Sequence, residues 1–445
     1  MTRAAVAAGR AGDRTSHPGL VVPSCDAFFL HVETVGAAQH LGGLVMFEPT
    51  SDEAALSVER VRDVVRHELE RLPRFRQRLE PATRWHRARW VDVPVIDWTS
   101  HISVRRCPDG QDGLRRIVAE LAETPMPRDR PLWQIVIVRD AGSEQSSTHP
   151  SPGRVGRTAM ILLLHHAVAD GNGAVLQALN LLRPRIELPS PPAPARGHVR
   201  LTAATIVGLA QLAADGGAGG QLATSTRRDF ATAGLDLAAV CRAASTRQVR
   251  VTDVVLALVA EAVADTHPEL SIRLGGRLRV AVPQTVRGPG TAAETNGTAA
   301  VMVDVPIDGR PIEGLIAEVG RRTARARTPS RVVASRFVTA KGLRALPEPA
   351  AAWFARTVYG RHFLHAIVSN MRGSPVPLSM AGVRIARVYP ILPLAPGAPL
   401  ALGALSWAGS LGIGLATDPA SLDAHALAAR MEFTLSRLAT DRSIP

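Results

Sequence analysis

Two adjacent histidines, His165 and His166, are the residues of this sequence with the clearest chemical potential. They follow the apolar run 159–164 and precede Asp170 and Gly171. Such a run of large aliphatic residues is typical of a buried strand, so the histidines fall where the strand ends and the backbone turns. Imidazole titrates near ~6.5, so a neutral ring can take a proton from a hydroxyl at cellular pH. One histidine and a group that orients it are enough for general-base catalysis.

Two other interpretations of the pair stay open on the residues alone. Either histidine could be a hydrogen-bonded residue of the core, which is the usual situation for an isolated one. His166 and Asp170 stand four residues apart and would share one face of a helix, as in some metal sites. No third and fourth ligand with a suitable spacing is apparent in the sequence, so we predict no metal.

The hydrophobic pattern predicts the elements that hold the pair. Residues 134–138 are a predicted strand, residues 140–157 a Gly/Ser/Pro-rich loop, and residues 159–164 the strand that leads into the histidines. The spacing in 174–182 predicts a helix, which ends at Pro184 because the ring restricts the preceding residue and removes a donor. The histidines therefore lie between a buried strand and a helix.

Composition divides the chain into four parts. We predict a flexible tail at 1–20, which lacks the apolar region of a secretory signal, and an N-terminal half at 21–183. Residues 184–235 are a Pro/Gly-rich linker with a short helix at 201–214, and residues 236–445 form the C-terminal half. The C-terminal half has a predicted helix at 252–265 and predicted strands at 278–282, 300–306, 366–369 and 401–407.

The chain is basic, with a formal net charge of +13 that comes almost entirely from arginine, since Lys341 is its single lysine. This charge favours partners that carry negative charge, such as phosphate-bearing ligands, anionic lipid surfaces or nucleic acid. The densest basic stretch, 71–89, interleaves arginine with aromatic residues, but no nucleic-acid-binding module accompanies it. We therefore expect no nucleic acid partner and a solvated face here, with contact to the phosphates of a ligand as the alternative.

Cysteine content and hydropathy further limit the class of protein to which this chain could belong. Cys25, Cys107 and Cys241 are odd in number and widely scattered, which argues against a disulfide framework and fits a reducing cytoplasm. No apolar stretch approaches the ~18 to 20 residues needed to span a bilayer. A composition of 46% hydrophobic and 20% charged residues is typical of a globular protein.

The heptad 165–171 matches the HHxxxDG motif of the CoA-dependent acyltransferase superfamily. The chain resembles the bacterial wax ester synthase/diacylglycerol acyltransferase-like enzymes of that superfamily over about residues 21–440. Further segments occur in the order expected of the family, which makes the set much more specific than the heptad alone. They are PSCDAFF at 23–29, LPRFRQRL at 72–79, PRDRPLWQ at 127–134, TDVVLA at 252–257, Val282-Pro283 with Arg287, Ser369-Asn370, SWAG at 406–409 and GIGL at 412–415.

The resemblance implies an α/β fold of two chloramphenicol acetyltransferase-like domains with a substrate tunnel between them. It implies that His166 is the general base and that His165 shapes the site. In the superfamily the aspartate that matches Asp170 usually pairs with an arginine and holds the loop. Gly171 is expected to let the backbone turn tightly.

Other residues have less definite roles. Asn370 or Ser369 could donate to the developing oxyanion, but a buried polar pair that closes a strand is an equally good interpretation. Trp133 is expected to pack in the core rather than to touch substrate. Asp253 has either a structural or a substrate role.

Two departures from the family pattern put efficiency and acceptor preference in doubt. The family usually has asparagine where this chain has Thr252, so hydrogen bonding around Asp253 could be altered. The segment after Ser369-Asn370 is usually a Val-Pro-Gly-Pro-like turn, whereas here it includes Arg372, which would place a cation near the tunnel.

The resemblance predicts an acyl-CoA-dependent O-acyltransferase that acts on a fatty alcohol or diacylglycerol by direct transfer. No tightly bound cofactor is expected, and acyl-CoA is a co-substrate. Two alternatives are a condensation-like or polyketide-associated acyltransferase with carrier-bound donors, and an inactive lipid- or CoA-binding relative. We expect a cytoplasmic protein with peripheral contact to the inner membrane face or to lipid droplets.

Overall fold

The computed structural model describes most of the chain. The described residues are 19–50, 56–83, 86–107, 109–141, 157–189, 216–220, 222–285, 292–294, 296–328, 330–331, 334, 344 and 346–440. The short helix expected at 201–214 and Arg287 both lie outside these residues.

Strands and helices alternate along the described chain. The strands are β1 (Leu20–Val21), β2 (His40–Phe47), β3 (Gln77–Glu80), β4 (Arg89–Asp92), β5 (Ile102–Arg106), β6 (Trp133–Arg139), β7 (Ala159–His165), β8 (Asp229–Asp236), β9 (Arg277–Thr285), β10 (Thr298–Pro306), β11 (Ala366–Arg372), β12 (Ser379–Met380), β13 (Val383–Ile391), β14 (Leu400–Trp407) and β15 (Ser410–Thr417). The helices are α1 (Ser24–Val32), α2 (Val58–Glu68), α3 (Trp98–His101), α4 (Gly110–Glu123), α5 (Gly171–Asn180), α6 (Leu237–Thr246), α7 (Val251–Thr266), α8 (Pro268–Arg273), α9 (Ile312–Ala326), α10 (Glu348–Val358) and α11 (Ala424–Thr440).

Two six-stranded sheets form the framework. The first has the order β12-β13-β2-β7-β6-β5, and the second has the order β10-β9-β11-β14-β15-β8. A small sheet of order β1-β4-β3 is not hydrogen-bonded to them and packs into the first core through Leu79 and Trp90. Each large sheet has its own hydrophobic core, and α7 is almost completely buried in the second one. This mixed α/β fold with two domains confirms the predicted fold class.

The sheets do not follow the predicted division of the chain at residue 236. Strand β13 comes late in the sequence, yet it lies in the first sheet between the edge strand β12 and β2, with which it pairs antiparallel. Strand β8, which falls inside the predicted linker, pairs with β15 in the second sheet. Strand pairing joins residues that are distant in sequence, so a boundary read from composition misses this exchange of strands between the halves.

Glycines let the two sheets approach closely. A Cβ on Gly414 of β15 would lie 1.8 Å from the carbonyl oxygen of Pro390, and one on Gly412 would lie 2.0 Å from that of Val388. Both acceptors belong to β13 of the first sheet. The GIGL segment therefore has a physical role, because side chains at these two positions would separate the sheets.

Most element predictions near the histidines are confirmed, with small shifts at the ends. Strand β7 is buried along its whole length, as expected of its apolar run. Helix α5 begins three residues earlier than predicted because Asp170 caps it. The expectation of a solvated face at 71–89 is wrong for Arg74, which is 7% exposed and lies 4.8 Å from the centre of the Trp90 ring.

Candidate active site

His166 lies in the short turn between strand β7 and helix α5. Its backbone amide donates to the carbonyl of Gln39 at 2.7 Å, which ties the turn to the residue before β2. Its ring stacks on Phe29 of α1, with 3.5 Å between ring centroids and 11° between the planes. Backbone and ring are therefore both held. Because α5 begins only at Gly171, His166 and Asp170 do not share a helical face.

The environment keeps the His166 ring neutral. Burial lowers the pKa of His166 to about 4, since the charged ring would lose its hydration, and the Asp170 carboxylate and the Asn296 side chain offset only part of this shift. At neutral pH the imidazole is therefore unprotonated and can accept a proton. Its Nδ1 atom is buried without a hydrogen-bond partner in the described structure.

His165 is fully buried and is held by Glu33. Its Nδ1 accepts the backbone amide of Ala167 at 2.9 Å, so the ring proton resides on Nε2. Nε2 lies 3.2 Å from Oε1 of Glu33, whose side chain is 5% exposed. Burial acts to raise the pKa of Glu33, but interactions with His165 and Arg128 overcome it and lower the pKa to about 2. A buried carboxylate thus fixes the tautomer and orientation of His165.

Asp170 joins the two halves of the molecule at the heptad. Its Oδ1 accepts the backbone amide of Gly173 at 2.7 Å and caps α5. Its Oδ2 accepts the backbone amide of Gly297 at 2.7 Å, from the segment just before β10 of the second sheet. This 1%-exposed carboxylate therefore binds backbone amides on both sides of the loop. The expected arginine partner stays a prediction.

Asn296 is a second bridge between the halves. Its side-chain amide donates to the carbonyl oxygen of His166 at 2.8 Å and to Oδ1 of Asp26 at 2.9 Å. Its backbone amide also donates to Asp26 Oδ1 at 2.9 Å.

Sequence reasoning missed Glu33 and Asn296, because a lone carboxylate and a lone amide carry no motif. Phe29 and Asp26 lie in the PSCDAFF segment at 23–29, which matches the family pattern but to which no role could be assigned from sequence.

Gly171 is required for space. It has no positive φ, so the expected tight turn is not its role. A Cβ at this position would lie 2.7 Å from Sδ of Met371 on β11. The missing side chain therefore lets the start of α5 pack against the second sheet.

Ser369 and Asn370 lie on opposite faces of β11. Ile367 and Met371 pack into the first core, whereas Val368 packs into the second. Alternation along the strand puts Ser369 on the face that meets the first half and Asn370 on the opposite face.

Asn370 is hydrogen-bonded to Thr252, one of the two positions at which this chain departs from the family pattern. Its Nδ2 donates to Oγ1 of Thr252 at 3.3 Å. Thr252 therefore supplies an acceptor where the family usually has an asparagine.

Asp253 and Trp133 both make contacts that stabilise the fold. Asp253 accepts the backbone amide of Arg250 at 3.0 Å, which caps α7, and the hydroxyl of Thr323 at 2.8 Å, which ties α7 to α9. Trp133 stacks between Phe75 and His101, at centroid distances of 4.6 and 4.2 Å. Its Nε1 donates to the carbonyl of Phe75 at 3.1 Å. These contacts fit core packing of Trp133.

An apolar cavity lies between the two sheets and next to the heptad. It encloses about 80 Å³, which is below the ~300–1,000 Å³ that is typical of small-molecule sites. Leu164 and Gly171, on either side of the histidine turn, line it. Further wall residues come from β2, α5 and β13, and from Met371, Leu405 and Trp407 of the second sheet. Apart from Trp407, the lining side chains carry no nitrogen or oxygen, so the cavity walls are apolar.

Metal-binding clusters and membrane-spanning helices are both absent from the described residues. Among them, no group of three or more histidine, cysteine, aspartate or glutamate side chains could hold a metal ion. In the same part of the chain, no helix is long and apolar enough to cross a membrane.

Two models of one protein family match this chain. Residues 23–220 match the wax ester synthase/diacylglycerol acyltransferase catalytic domain, and residues 295–439 match the C-terminal domain of the same family. The chain therefore belongs to the wax ester synthase/diacylglycerol acyltransferase family, which confirms the resemblance read from the motifs. It is an enzyme of the O-acyltransferase class.

Individual relatives agree with this assignment. A probable diacylglycerol O-acyltransferase of Mycobacterium tuberculosis is 25% identical over 93% of this chain and 94% of its own length. A putative diacylglycerol O-acyltransferase of the same organism is 29% identical, but that match covers only 34% of this chain and 30% of the relative.

Solved structures share the fold. The wax ester synthase/diacylglycerol acyltransferase from Marinobacter aquaeolei VT8 has a TM-score of 0.66 at 18% identity and covers 96% of this chain and 100% of its own. The first condensation domain of the CDA synthetase has a TM-score of 0.62 at 16% identity, with 97% and 98% covered.

Proposed function

We propose that the protein transfers a long acyl chain from acyl-CoA to the hydroxyl of a fatty alcohol or of diacylglycerol. The observation that carries this proposal is a neutral, firmly held His166 beside a hydrocarbon-lined cavity between the two halves. The names of the mycobacterial relatives, which specify diacylglycerol as acceptor, support the choice of substrate.

His166 acts as the general base in this proposal. It takes the proton of the acceptor hydroxyl while the oxygen attacks the thioester carbonyl, and a positioned base of this kind contributes ~10² to 10⁴-fold. The tetrahedral intermediate collapses, the carbon–sulfur bond breaks, and the proton passes to the sulfur of CoA. Transfer is direct, so no residue of the chain carries the acyl group.

Ser369 is the better candidate donor to the oxyanion. It shares the strand face of Met371, which lines the cavity, whereas Asn370 shares the face of the second core and donates to Thr252. In this proposal Asn370 positions the neighbouring backbone, and Ser369 stabilises charge that develops on the thioester oxygen.

The test is release of free CoA from palmitoyl-CoA with hexadecanol or dipalmitoylglycerol as acceptor, together with detection of the ester. Hexadecane, which lacks the hydroxyl, is the matched control. We expect release that depends on the hydroxyl-bearing acceptor. If neither acceptor stimulates release, the proposed substrates are wrong. Activity confined to palmitate on a carrier protein would favour the carrier-dependent alternative, and CoA binding without any ester would favour an inactive relative.

We also propose that the enzyme meets its lipid substrates at the surface of a membrane or lipid droplet in the cytoplasm. The net charge of +13 supports attraction to anionic lipid surfaces. Flotation with vesicles should show binding that increases with the fraction of anionic lipid. Equal binding to neutral vesicles would contradict the electrostatic part of this proposal.

A further inference from the structure

A basic cleft lies beyond the C-terminal end of helix α5, whereas the histidine turn precedes the start of that helix. A helix of ten residues is about 15 Å long, so the cleft is separate from the candidate active site. Its walls are helix α2, residues 181–185 and the turn that joins β12 to β13. The ionisable residues of the lining are Arg60, Asp63, His67, Glu68, Arg71, Arg183 and Arg185. The cleft encloses about 700 Å³, within the ~300–1,000 Å³ that is typical of small-molecule sites.

Three of these arginines converge on one buried carboxylate. The Glu68 side chain, at the end of α2, is 3% exposed. Its oxygens lie 3.1 Å from Arg71, 2.5 Å from Arg183 and 2.7 Å from Arg185. Arg71 comes from the turn after α2, whereas the other two come from the segment after α5. Glu68 therefore gathers guanidinium groups from two elements at one wall of the cleft.

This cluster has an excess of positive charge. Glu68 balances one of the three guanidinium groups, which leaves two positive charges. The other carboxylate of the described lining, that of Asp63, pairs at 3.1 Å with Arg66, which does not line the cleft. Guanidinium groups gathered on one carboxylate repel each other, so an anion that enters the cleft would stabilise them. A phosphate monoester, with a charge of about −1.5 to −2 at pH 7, matches the excess.

The guanidinium groups have donors left for such an anion. Within the described residues, Arg71 and Arg185 each use a single terminal nitrogen, which is bonded to Glu68. A guanidinium has five N–H donors in a rigid fork, and the fork suits the oxygens of phosphate. The two side chains are 55% and 45% exposed and line the cleft, so their remaining donors are open to a ligand.

We propose that the cleft binds a small organic phosphate monoester, with its phosphate on Arg71 and Arg185. A phosphate group fills only a small part of 700 Å³, so the rest of the cleft holds the organic part of the ligand. This chemistry has two sources, the 3′-phosphate of CoA and a separate small metabolite. Neither source requires acyl transfer for binding, so the site is tested without turnover.

Calorimetry on the native protein tests recognition of the phosphate. The probes are adenosine 3′-phosphate and glycerol 3-phosphate, and adenosine and glycerol are their matched controls without phosphate. We expect at least one monoester to bind at least about tenfold more tightly than its control, because the control loses the charged hydrogen bonds. If neither monoester gains affinity over its control, the proposal is overturned.

Competition for the bound monoester separates the two sources. If CoA displaces it and dephospho-CoA, which lacks the 3′-phosphate, is at least about tenfold weaker, the site holds the 3′-phosphate of CoA. If neither competes, the site holds a separate metabolite. Equal competition by CoA and dephospho-CoA would overturn the assignment to a monoester, because only the diphosphate is common to both.

Variants locate the phosphate. Arg71→Gln and Arg185→Gln each leave Glu68 with two arginine partners, and each should weaken binding of the monoester by about tenfold without changing binding of its phosphate-free control. Arg116→Gln, which removes an exposed arginine on α4 paired with Asp109, is the control variant and should bind normally. Native affinity in both cleft variants would overturn the proposal.

Discussion

His165 and His166 are adjacent in the chain but are held by different groups. His165 is fully buried, with one ring nitrogen on a backbone amide and the other facing the Glu33 carboxylate. His166 is half-buried and is held through its backbone and by stacking on Phe29. This difference supports the proposal in which the first ring orients the turn and the second ring accepts a proton.

Glu33→Gln should reduce the turnover number without a matching rise in KM. The substitution removes the charge that fixes the His165 tautomer, so the turn that carries His166 loses part of its support while the substrate-binding walls stay intact. We expect kcat to fall by about tenfold, because the contact of 3.2 Å between Glu33 and Nε2 of His165 loses its charge. Glu120→Gln, an exposed glutamate paired with Arg105, is the control and should retain native kinetics. Native kcat in Glu33→Gln would contradict an orienting role for Glu33.

Ionisation of the buried Asp26 carboxyl should lower the free energy of unfolding as pH rises. Burial raises the pKa of Asp26 from 3.8 to about 6, although hydrogen bonds from Asn296 act to lower it. The unfolded chain loses this proton near pH 3.8 and the folded chain near pH 6, so the stability present at low pH is lost as pH rises to 6. Asp26→Asn cannot titrate. Between pH 4 and pH 8, we expect its free energy of unfolding to gain about 2–3 kcal/mol relative to the native chain. A constant difference in urea titrations would contradict this linkage.

At the scale of elements, close contact between strands of the two sheets positions the site. Strand β13 lies against β15 at Gly412 and Gly414, and the start of α5 lies against β11 at Gly171. These contacts bring the cavity walls of the first half up to those of the second. Each of these three positions is a glycine because an atom of the facing strand occupies the space that a Cβ would need.

Gly414→Ala should destabilise the fold. The new Cβ would overlap the Pro390 carbonyl, and a backbone atom in a sheet cannot move aside cheaply, so we expect a loss of at least about 1–3 kcal/mol. Gly314→Ala is the matched control, because Gly314 lies inside α9 with nothing within 4 Å of the added Cβ. That substitution should stabilise by about 0.5–1 kcal/mol through helix propensity. Equal behaviour of the two variants in thermal unfolding would contradict the packing role of Gly414.

The elements around the histidines could be predicted from sequence because local pattern determines them. Strand β7 has an uninterrupted apolar run, and α5 follows a capping aspartate. The position of β13 could not be predicted in this way, because its pairing with β2 joins residues more than 300 positions apart. Glu33 and Asn296 were missed for the same reason. Their roles depend on His165 and Asp26, and only the folded chain brings these residues together.

At the scale of the whole molecule, the second half holds the histidine turn of the first. Asn296 and Gly297, just before β10, donate to Asp26, to the carbonyl of His166 and to Asp170. The position of His166 therefore depends on how the two halves are joined as well as on its own strand.

Asn296→Ala should separate catalysis from overall stability. The variant loses the side-chain bonds to His166 and Asp26 but keeps the backbone bonds that join the halves. We expect kcat to fall by about tenfold and the midpoint of thermal unfolding to change by only a few degrees. Native kcat together with a large fall in the unfolding midpoint would show that Asn296 has a purely structural role.

The central claim is that His166 is the base that activates the acceptor hydroxyl. The most direct measurement compares acceptor-dependent release of CoA from palmitoyl-CoA by the native chain, by His166→Ala and by His86→Ala, an exposed histidine that serves as control. We expect His166→Ala to lose at least about 10²-fold in kcat, with palmitoyl-CoA binding retained, and His86→Ala to retain native activity. Acceptor-dependent turnover in His166→Ala within a few-fold of the native rate would contradict the account.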